Sequence, residues 1–266
     1  MTLFDEPPDA DTAALSGPLY RVRMVVAYDG GPFRGFAAQP NVKTVAGVMA
    51  EATRKVLGHP VTFTCAGRTD AGVHAWGQVV HFDTTRSGDD FDATGLRRSL
   101  NKLLHPHIVV RSVDVAPESF DARHSAVGRR YRYTVLNRDV PDPFMGRYVW
   151  HIEDALDLPS MKLACDPLFG EHDFSAFCRR PPDGGSTVRR VTNAEWIDTG
   201  DGFLRFEIAA NAFCHQMVRS IVGTLVEVGS GRKRAGDIAG IIRSGDRQQA
   251  GQLAPPQGLS LWQVLY

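Results

Sequence analysis

Apolar positions along this chain follow two spacings, and each spacing predicts a type of element. Residues 19–28 read as a first strand, closed by the turn Asp29-Gly30-Gly31-Pro32. Val45, Val48, Met49, Ala52 and Val56 recur at helical spacing, which predicts a helix over residues 44–57 that Gly58 can stop. Two short β-prone runs follow, residues 61–65 and 78–82. A second helix is predicted over residues 93–104, with Leu96, Leu100, Leu103 and Leu104 on one side. Residues 107–115 alternate again as a strand. A helix after Pro159 with apolar Met161, Leu163, Ala164 and Leu168 is expected next. Residues 187–199 and 202–209 read as an antiparallel pair joined at Thr199-Gly200-Asp201-Gly202. Met217, Ile221, Leu225 and Val228 form the apolar stripe of a late helix. A short helix near residues 238–243 and a strand over 258–266 complete the pattern. Strands mixed with helices in each half imply an α+β chain with antiparallel sheet and helices on one face.

Between the two β-prone runs lies Gly67-Arg68-Thr69-Asp70-Ala71-Gly72-Val73-His74-Ala75. Strands at both ends would hold this loop rigidly. Glycines 67 and 72 permit backbone shapes closed to other residues and allow close approach of a ligand. With Arg68 near, Asp70 would stay ionised in one rotamer, ready to act as a nucleophile or base. An ordinary Asp-Gly turn with a surface ion pair is the bland alternative for such a loop.

Two further stretches carry chemistry. Residues 128–137 place Tyr131, Tyr133 and Val135 on one face of a strand and Arg130, Arg132 and Thr134 on the other. Aromatic rings beside arginines suit a base held by stacking and phosphates held by charge. Residues 211–223 read Asn-Ala-Phe-Cys-His-Gln-Met-Val-Arg-Ser-Ile-Val-Gly, with Arg219 at the early end of the late helix. His215 has no second metal ligand at a suitable spacing.

Together these words resemble the signatures of the tRNA pseudouridine synthase I family, the TruA type. The Asp70 loop with Gly77-Gln78-Val79-Val80-His81-Phe82-Asp83 matches the first. Phe120-x-Ala-Arg-x-Ser-Ala followed by Arg129-Arg130-Tyr131-Arg132-Tyr133 matches the second. The Asn211–Gly223 segment matches the third. Tyr28-Asp29-Gly30, Phe33, Gly35, Gln39 and the Glu171–Phe177 element also fit. Phe36 and Ala37 stand where the family usually has Trp and Gln, though Phe36 still offers a ring. The resemblance covers residues 19–266.

It implies two related α/β domains whose antiparallel sheets join into one extended sheet, with the catalytic cleft between them. The boundaries it suggests are 18–125 and 126–266, after a disordered acidic leader at 1–17. It implies isomerisation of uridine to pseudouridine at positions 38 to 40 of the tRNA anticodon stem-loop. No cofactor and no metal would take part. Asp70 would be the catalytic residue, Tyr131 would stack on the base, and Arg68 and Arg219 would orient the carboxylate or hold a phosphate. The family works as a homodimer.

Composition changes this picture little. Hydrophobic content of 43% and charged content of 23% over 266 residues describe an ordinary soluble chain able to bury a core. No apolar run is long enough to span a membrane and the N-terminus lacks a signal-peptide pattern, so a cytoplasmic protein is expected. The four cysteines include no Cys-x-x-Cys pair and read as reduced thiols. Net charge is zero, but four of the 30 acids lie in the leader, leaving 26 acids against 30 bases in the remainder. Bases cluster at Arg129-Arg130-x-Arg132, Arg179-Arg180, Arg189-Arg190 and Arg232-Lys233-Arg234, and a local basic cleft can bind phosphates on a neutral protein. The polar loop over residues 179–187 is either an RNA contact or a mobile surface turn. Two rival readings remain at this level: a non-catalytic RNA-binding module, and a metal-dependent phosphotransfer enzyme using Asp70 with Asp83 or Asp29.

Overall fold

Alternation along the strands divides one large sheet into an apolar face and a charged one. On β1 (Tyr20–Tyr28), Val22, Met24 and Val26 are fully buried, while Arg21 and Arg23 between them reach carboxylates on the opposite face. The computed structural model describes residues 19–85, 91–179 and 184–266. The acidic leader, and residues 180–183 of the polar loop, lie outside the described residues.

After β1 come α1 (Val45–Leu57), β2 (Thr64–Cys65), β3 (His74–Thr84), α2 (Ala93–Leu104), β4 (Ile108–Ala116), β5 (Gly128–Asn137) and β6 (Trp150–Ile152). Then follow α3 (Leu158–Leu163), β7 (Gly170–Asp173), β8 (Val188–Asp198), β9 (Phe203–Ala210), α4 (Met217–Gly229), α5 (Asp237–Ser244) and β10 (Leu259–Leu265). The fold is α+β, with one mostly antiparallel sheet in the order β4-β1-β3-β10-β5-β9-β8-β7. β2 pairs with β3, and β6 lies parallel to β5.

Local chemistry explains the helix ends. The Thr44 hydroxyl accepts from the Gly47 amide and caps α1, and Gly58 closes it in the left-handed region at φ 83°. Asp92 caps α2 in the same manner through Gly95. Met217, Ile221, Leu225 and Val228 are all buried on α4, which is buried on nearly every side.

The centre of the sheet is built by its last strand. β10 runs between β3 and β5, parallel to β3 through Ser260–His74 and Leu261–Ala75, and antiparallel to β5 with Leu261 opposite Tyr131. Leu261 therefore spaces the start of β3 from Tyr131 by two strand intervals, roughly 10 Å. The strand immediately after the Asp70 loop and the strand carrying the tyrosine are thereby fixed relative to each other.

Several expectations shift. The strand over residues 61–65 contracts to Thr64–Cys65, which pair with His81 and Val80 on the edge of β3 that β10 reaches at His74 and Ala75. β3 begins at His74, inside the glycine motif, so the intervening loop is shorter than the apolar run suggested. Leu103 is half exposed at the margin of the α2 face, and Leu163 is exposed on the one-and-a-half-turn α3.

Candidate active site

The Asp70 loop is held by main chain and by buried hydroxyls. The Ala66 amide bonds the Val79 carbonyl at 2.9 Å, and the Val73 amide closes a turn on the Asp70 carbonyl at 3.1 Å. The Thr69 hydroxyl meets the buried Tyr28 hydroxyl at 2.7 Å, and the Phe36 amide donates to the Thr69 carbonyl at 3.1 Å. Gln78 donates from Nε2 to the Gly67 carbonyl at 2.7 Å. Gly72 has φ 78°, and a Cβ there would meet Pro256 Cγ at 3.0 Å, so this turn needs glycine on both counts.

With the loop so fixed, the Asp70 side chain stands partly exposed and touches two residues of the late motif. Its Oδ1 lies 3.2 Å from His215 Nε2, and its Oδ2 lies 3.6 Å from Arg219 Nη1. Gln216 adopts φ 65°, a left-handed shape uncommon for a side-chain-bearing residue, immediately before α4 begins. That bend separates His215 from Arg219, yet both reach one carboxylate. Arg219 is largely buried, and burial, opposed by Asp70, lowers its pKa from the usual guanidinium range. Its Nε donates to the Ala254 carbonyl at 2.7 Å, and the Ala254 amide returns to the Arg219 carbonyl at 3.2 Å. Segment 252–257 thus aims the arginine.

Tyr131 is buried next to this cluster, its ring meeting Phe213 edge-on at 5.0 Å. A Cβ on Gly67 would lie 4.0 Å from its hydroxyl. Burial raises its pKa, and the Asp70 charge adds to the rise. A partly exposed carboxylate with an imidazole and a guanidinium behind it, beside a buried phenol and a phenylalanine, can present one reactive oxygen to a flat aromatic ligand.

The structure brings Asp70, Tyr131 and Arg219 together, and leaves Arg68 apart. Arg68 is exposed and makes no ion pair with Asp70 among the described residues. In this irregular loop a spacing of two does not bring the exposed Arg68 side chain to Asp70. Phe36 offers no ring to a ligand. It is buried in the core, 6.1 Å from the Tyr28 ring. Asp29 and Asp83 do not join Asp70 either. Asp83 is bound by both Nε and Nη2 of Arg21 at 2.8 Å, and Asp29 accepts from Arg147 at 2.9 Å.

Part of the arginine cluster proves structural. Arg129 donates to the carbonyls of Ala66, Arg123, Ala126 and Asn211, at 2.8 to 3.2 Å, clamping the root of the Asp70 loop to the late motif. Arg132 lies over the Trp262 ring at 3.7 Å and pairs with Glu207 at 2.9 Å. His215, Tyr28, Gln78 and Arg129 are site residues that spacing alone did not single out. Their signal was inclusion in the motif words, where each reads as strand or loop until the fold shows its direction.

The comparisons bear on the same residues. The profile of a family described as tRNA pseudouridine synthase matches residues 24–125 and 164–266, which include Asp70, His215 and Arg219. A protein named tRNA pseudouridine synthase A from Syntrophotalea carbinolica is 39% identical over 245 residues, covering 92% of this chain and 96% of its own. Proteins of that name from Brevibacillus brevis and a Thermoanaerobacter species are 41% and 42% identical, each covering 92% of this chain and 99% of their own.

Proposed function

The chain belongs to the tRNA pseudouridine synthase family, a family of isomerases, and on that premise we propose that Asp70 converts uridine to pseudouridine at positions 38 to 40 of the anticodon stem-loop. The observation that carries this reading is the grip on one carboxylate by His215 and Arg219, beside buried Tyr131. The reaction breaks the uridine N1–C1′ bond, turns the base, and rejoins it through C5. Atoms are conserved and no redox change occurs.

Asp70 acts as the nucleophile or base. Attack at the sugar, attack on the base and deprotonation of the sugar all use this same group. Arg219 orients it, and exposed Arg68 is available to a phosphate of the strand from which the nucleotide is flipped. Tyr131 and Phe213 supply the apolar wall that retains the detached base.

The reading extends to organisation. The two matched stretches fall one on each side of a boundary near 125/126, which supports domains over residues 18–125 and 126–266. Asp70 comes from the first and Tyr131, His215 and Arg219 from the second, which supports a cleft between them. A homodimer with tRNA across both subunits, working in the cytoplasm, completes the proposal. Light scattering of the protein alone tests the dimer.

The decisive experiment uses tRNA carrying tritium at uridine C5. Asp70→Asn is expected to abolish label release while tRNA binding stays near normal. Substantial release by that variant would overturn the assignment.

A further inference from the structure

Two thiols that are 36 positions apart in sequence approach each other beside the Asp70 site. Cys178 follows the single 3₁₀ turn Ser175–Phe177, is buried, and its Sγ also reaches the Phe174 carbonyl at 3.1 Å. Cys214 is half-buried in the loop between β9 and α4, with its Sγ 3.9 Å from the Thr187 carbonyl. The two carbonyls that these sulfurs reach are themselves neighbours, since the Phe174 amide donates to the Thr187 carbonyl at 3.1 Å. The residues that follow them are tied through main chain, the Arg179 amide donating to the His215 carbonyl at 3.1 Å. The two segments therefore run side by side at the cysteines.

That proximity makes the pair chemically unlike the other cysteines. Interaction with the Cys178 thiol draws the Cys214 thiol down to about 7, while the same interaction and burial push Cys178 up. Burial pushes Cys65 up to about 11 and Cys165 up to about 12. The thiolate is the form that reacts with oxidants, so Cys214 is the reactive member of the set.

We propose that Cys178 and Cys214 form a reversible disulfide on exposure to a peroxide, and that this bond lowers turnover at Asp70. In the first step the Cys214 thiolate attacks one peroxide oxygen. The O–O bond breaks, the departing hydroxide takes a proton to become water, and Cys214 becomes a sulfenic acid. In the second step the Cys178 sulfur attacks the Cys214 sulfur. The S–S bond forms, the S–O bond breaks, and the hydroxyl leaves as water with the Cys178 proton. One peroxide is reduced to two waters, and two thiols are oxidised to one disulfide.

The consequence follows from position. Cys214 lies between Phe213, whose ring meets Tyr131, and His215, whose Nε2 touches Asp70. Two sulfurs must close to about 2.05 Å to bond covalently. A shift of that size at Cys214 moves both neighbours, and a misplacement of about 1 Å at a reacting group costs up to roughly 10²-fold in rate.

The test takes the full-length protein through hydrogen peroxide and then a dithiol reductant. Intact mass is expected to fall by about 2 Da, the two hydrogens lost, with peptide mapping placing the link at Cys178–Cys214. Tritium release is expected to fall at least tenfold and to return on reduction. Cys214→Ser and Cys178→Ser are each expected to keep the reduced enzyme's rate and to resist peroxide.

No Cys178–Cys214 link in the oxidised wild-type protein would overturn the proposal, whatever the variants do. So would a link that leaves turnover unchanged, or an equal peroxide loss in Cys214→Ser. The turnover measurement rests on the functional reading above, whereas the mass measurement does not. If the reduced enzyme released no tritium, the functional reading and the effect on turnover would both fall, and the mass would still decide the disulfide.

Discussion

Asp70 Oδ2 lies 3.6 Å from Arg219 Nη1, while the same guanidinium's Nε is held by the Ala254 carbonyl at 2.7 Å. One planar side chain thus serves an anchor and a carboxylate at once. A lysine carries its donors on one nitrogen, without the planar fork that spans both partners here. Arg219→Lys is therefore expected to lower kcat by roughly 10- to 100-fold, with a smaller change in KM. Single-turnover tritium release checks it. A variant with wild-type kcat would remove Arg219 from the positioning role.

Tyr131 meets Phe213 edge-on and is buried, so its ring is the larger part of its contribution. Base–aromatic stacking is worth about 1–3 kcal/mol per base. Tyr131→Phe is expected to stay within about tenfold of wild type, and Tyr131→Leu to fall by roughly 10²-fold. Equal and complete losses in both variants would instead assign the phenol an obligatory proton transfer.

Gly72 and Gly200 both lie in the left-handed region, at φ 78° and 89°. A side chain there costs roughly 1–2 kcal/mol at either position. Only at Gly72 would a Cβ also press on a neighbour, Pro256 Cγ at 3.0 Å; at Gly200 nothing lies within 4 Å. Urea unfolding is expected to show both alanine variants destabilised. Turnover is expected to drop for Gly72→Ala and to hold for Gly200→Ala. Unchanged turnover in Gly72→Ala would mean that the loop tolerates displacement.

His74 and His81 are buried, and each accepts a backbone N–H at Nδ1, from Gly30 at 2.9 Å and from Ala122 at 3.0 Å. A protonated ring cannot accept there. His74 Nδ1 also lies 3.3 Å from Asp29, but the accepting role makes the neutral ring the native form, in keeping with its lowered pKa. Burial is the main cause of lowering in both. With the folded pKa below the unfolded value of 6.5, the unfolded chain binds more protons between the two. Stability is then fully present above pH 6.5 and declines as pH falls below it. Urea midpoints measured from pH 8 to pH 5 are expected to hold steady and then drop. A midpoint flat across that interval would refute the coupling.

The helices were the most legible part of the chain. Residues 93–104 appear as α2 with the bounds that the apolar spacing indicated, and Gly58 ends α1 as its position suggested. Helical periodicity and capping are local, so neighbours within one turn suffice to specify them. Strand bounds were less legible. β2 is two residues long where the apolar run covers five, and β10 reaches the same edge of β3 from nearly 200 residues away, an insertion that no local window contains. At the site, Asp70, Tyr131 and Arg219 could be named from motif words, but the contact with His215 could not. Arg68 shows the reverse, a close neighbour in sequence that the loop directs elsewhere.

Taken alone, the order of residues determined the α+β class, the helical stripes, the glycine turn around Asp70, and three motifs that resemble one enzyme family. Only the folded chain decided which arginine meets the aspartate, that Arg129 clamps carbonyls, that Phe36 is core, and that the segments of Cys178 and Cys214 run side by side. The physical reason is range. Periodicity and turn chemistry act over a few residues, whereas a side chain's partner depends on where strands such as β10 insert and on which way a bend such as that at Gln216 turns the chain.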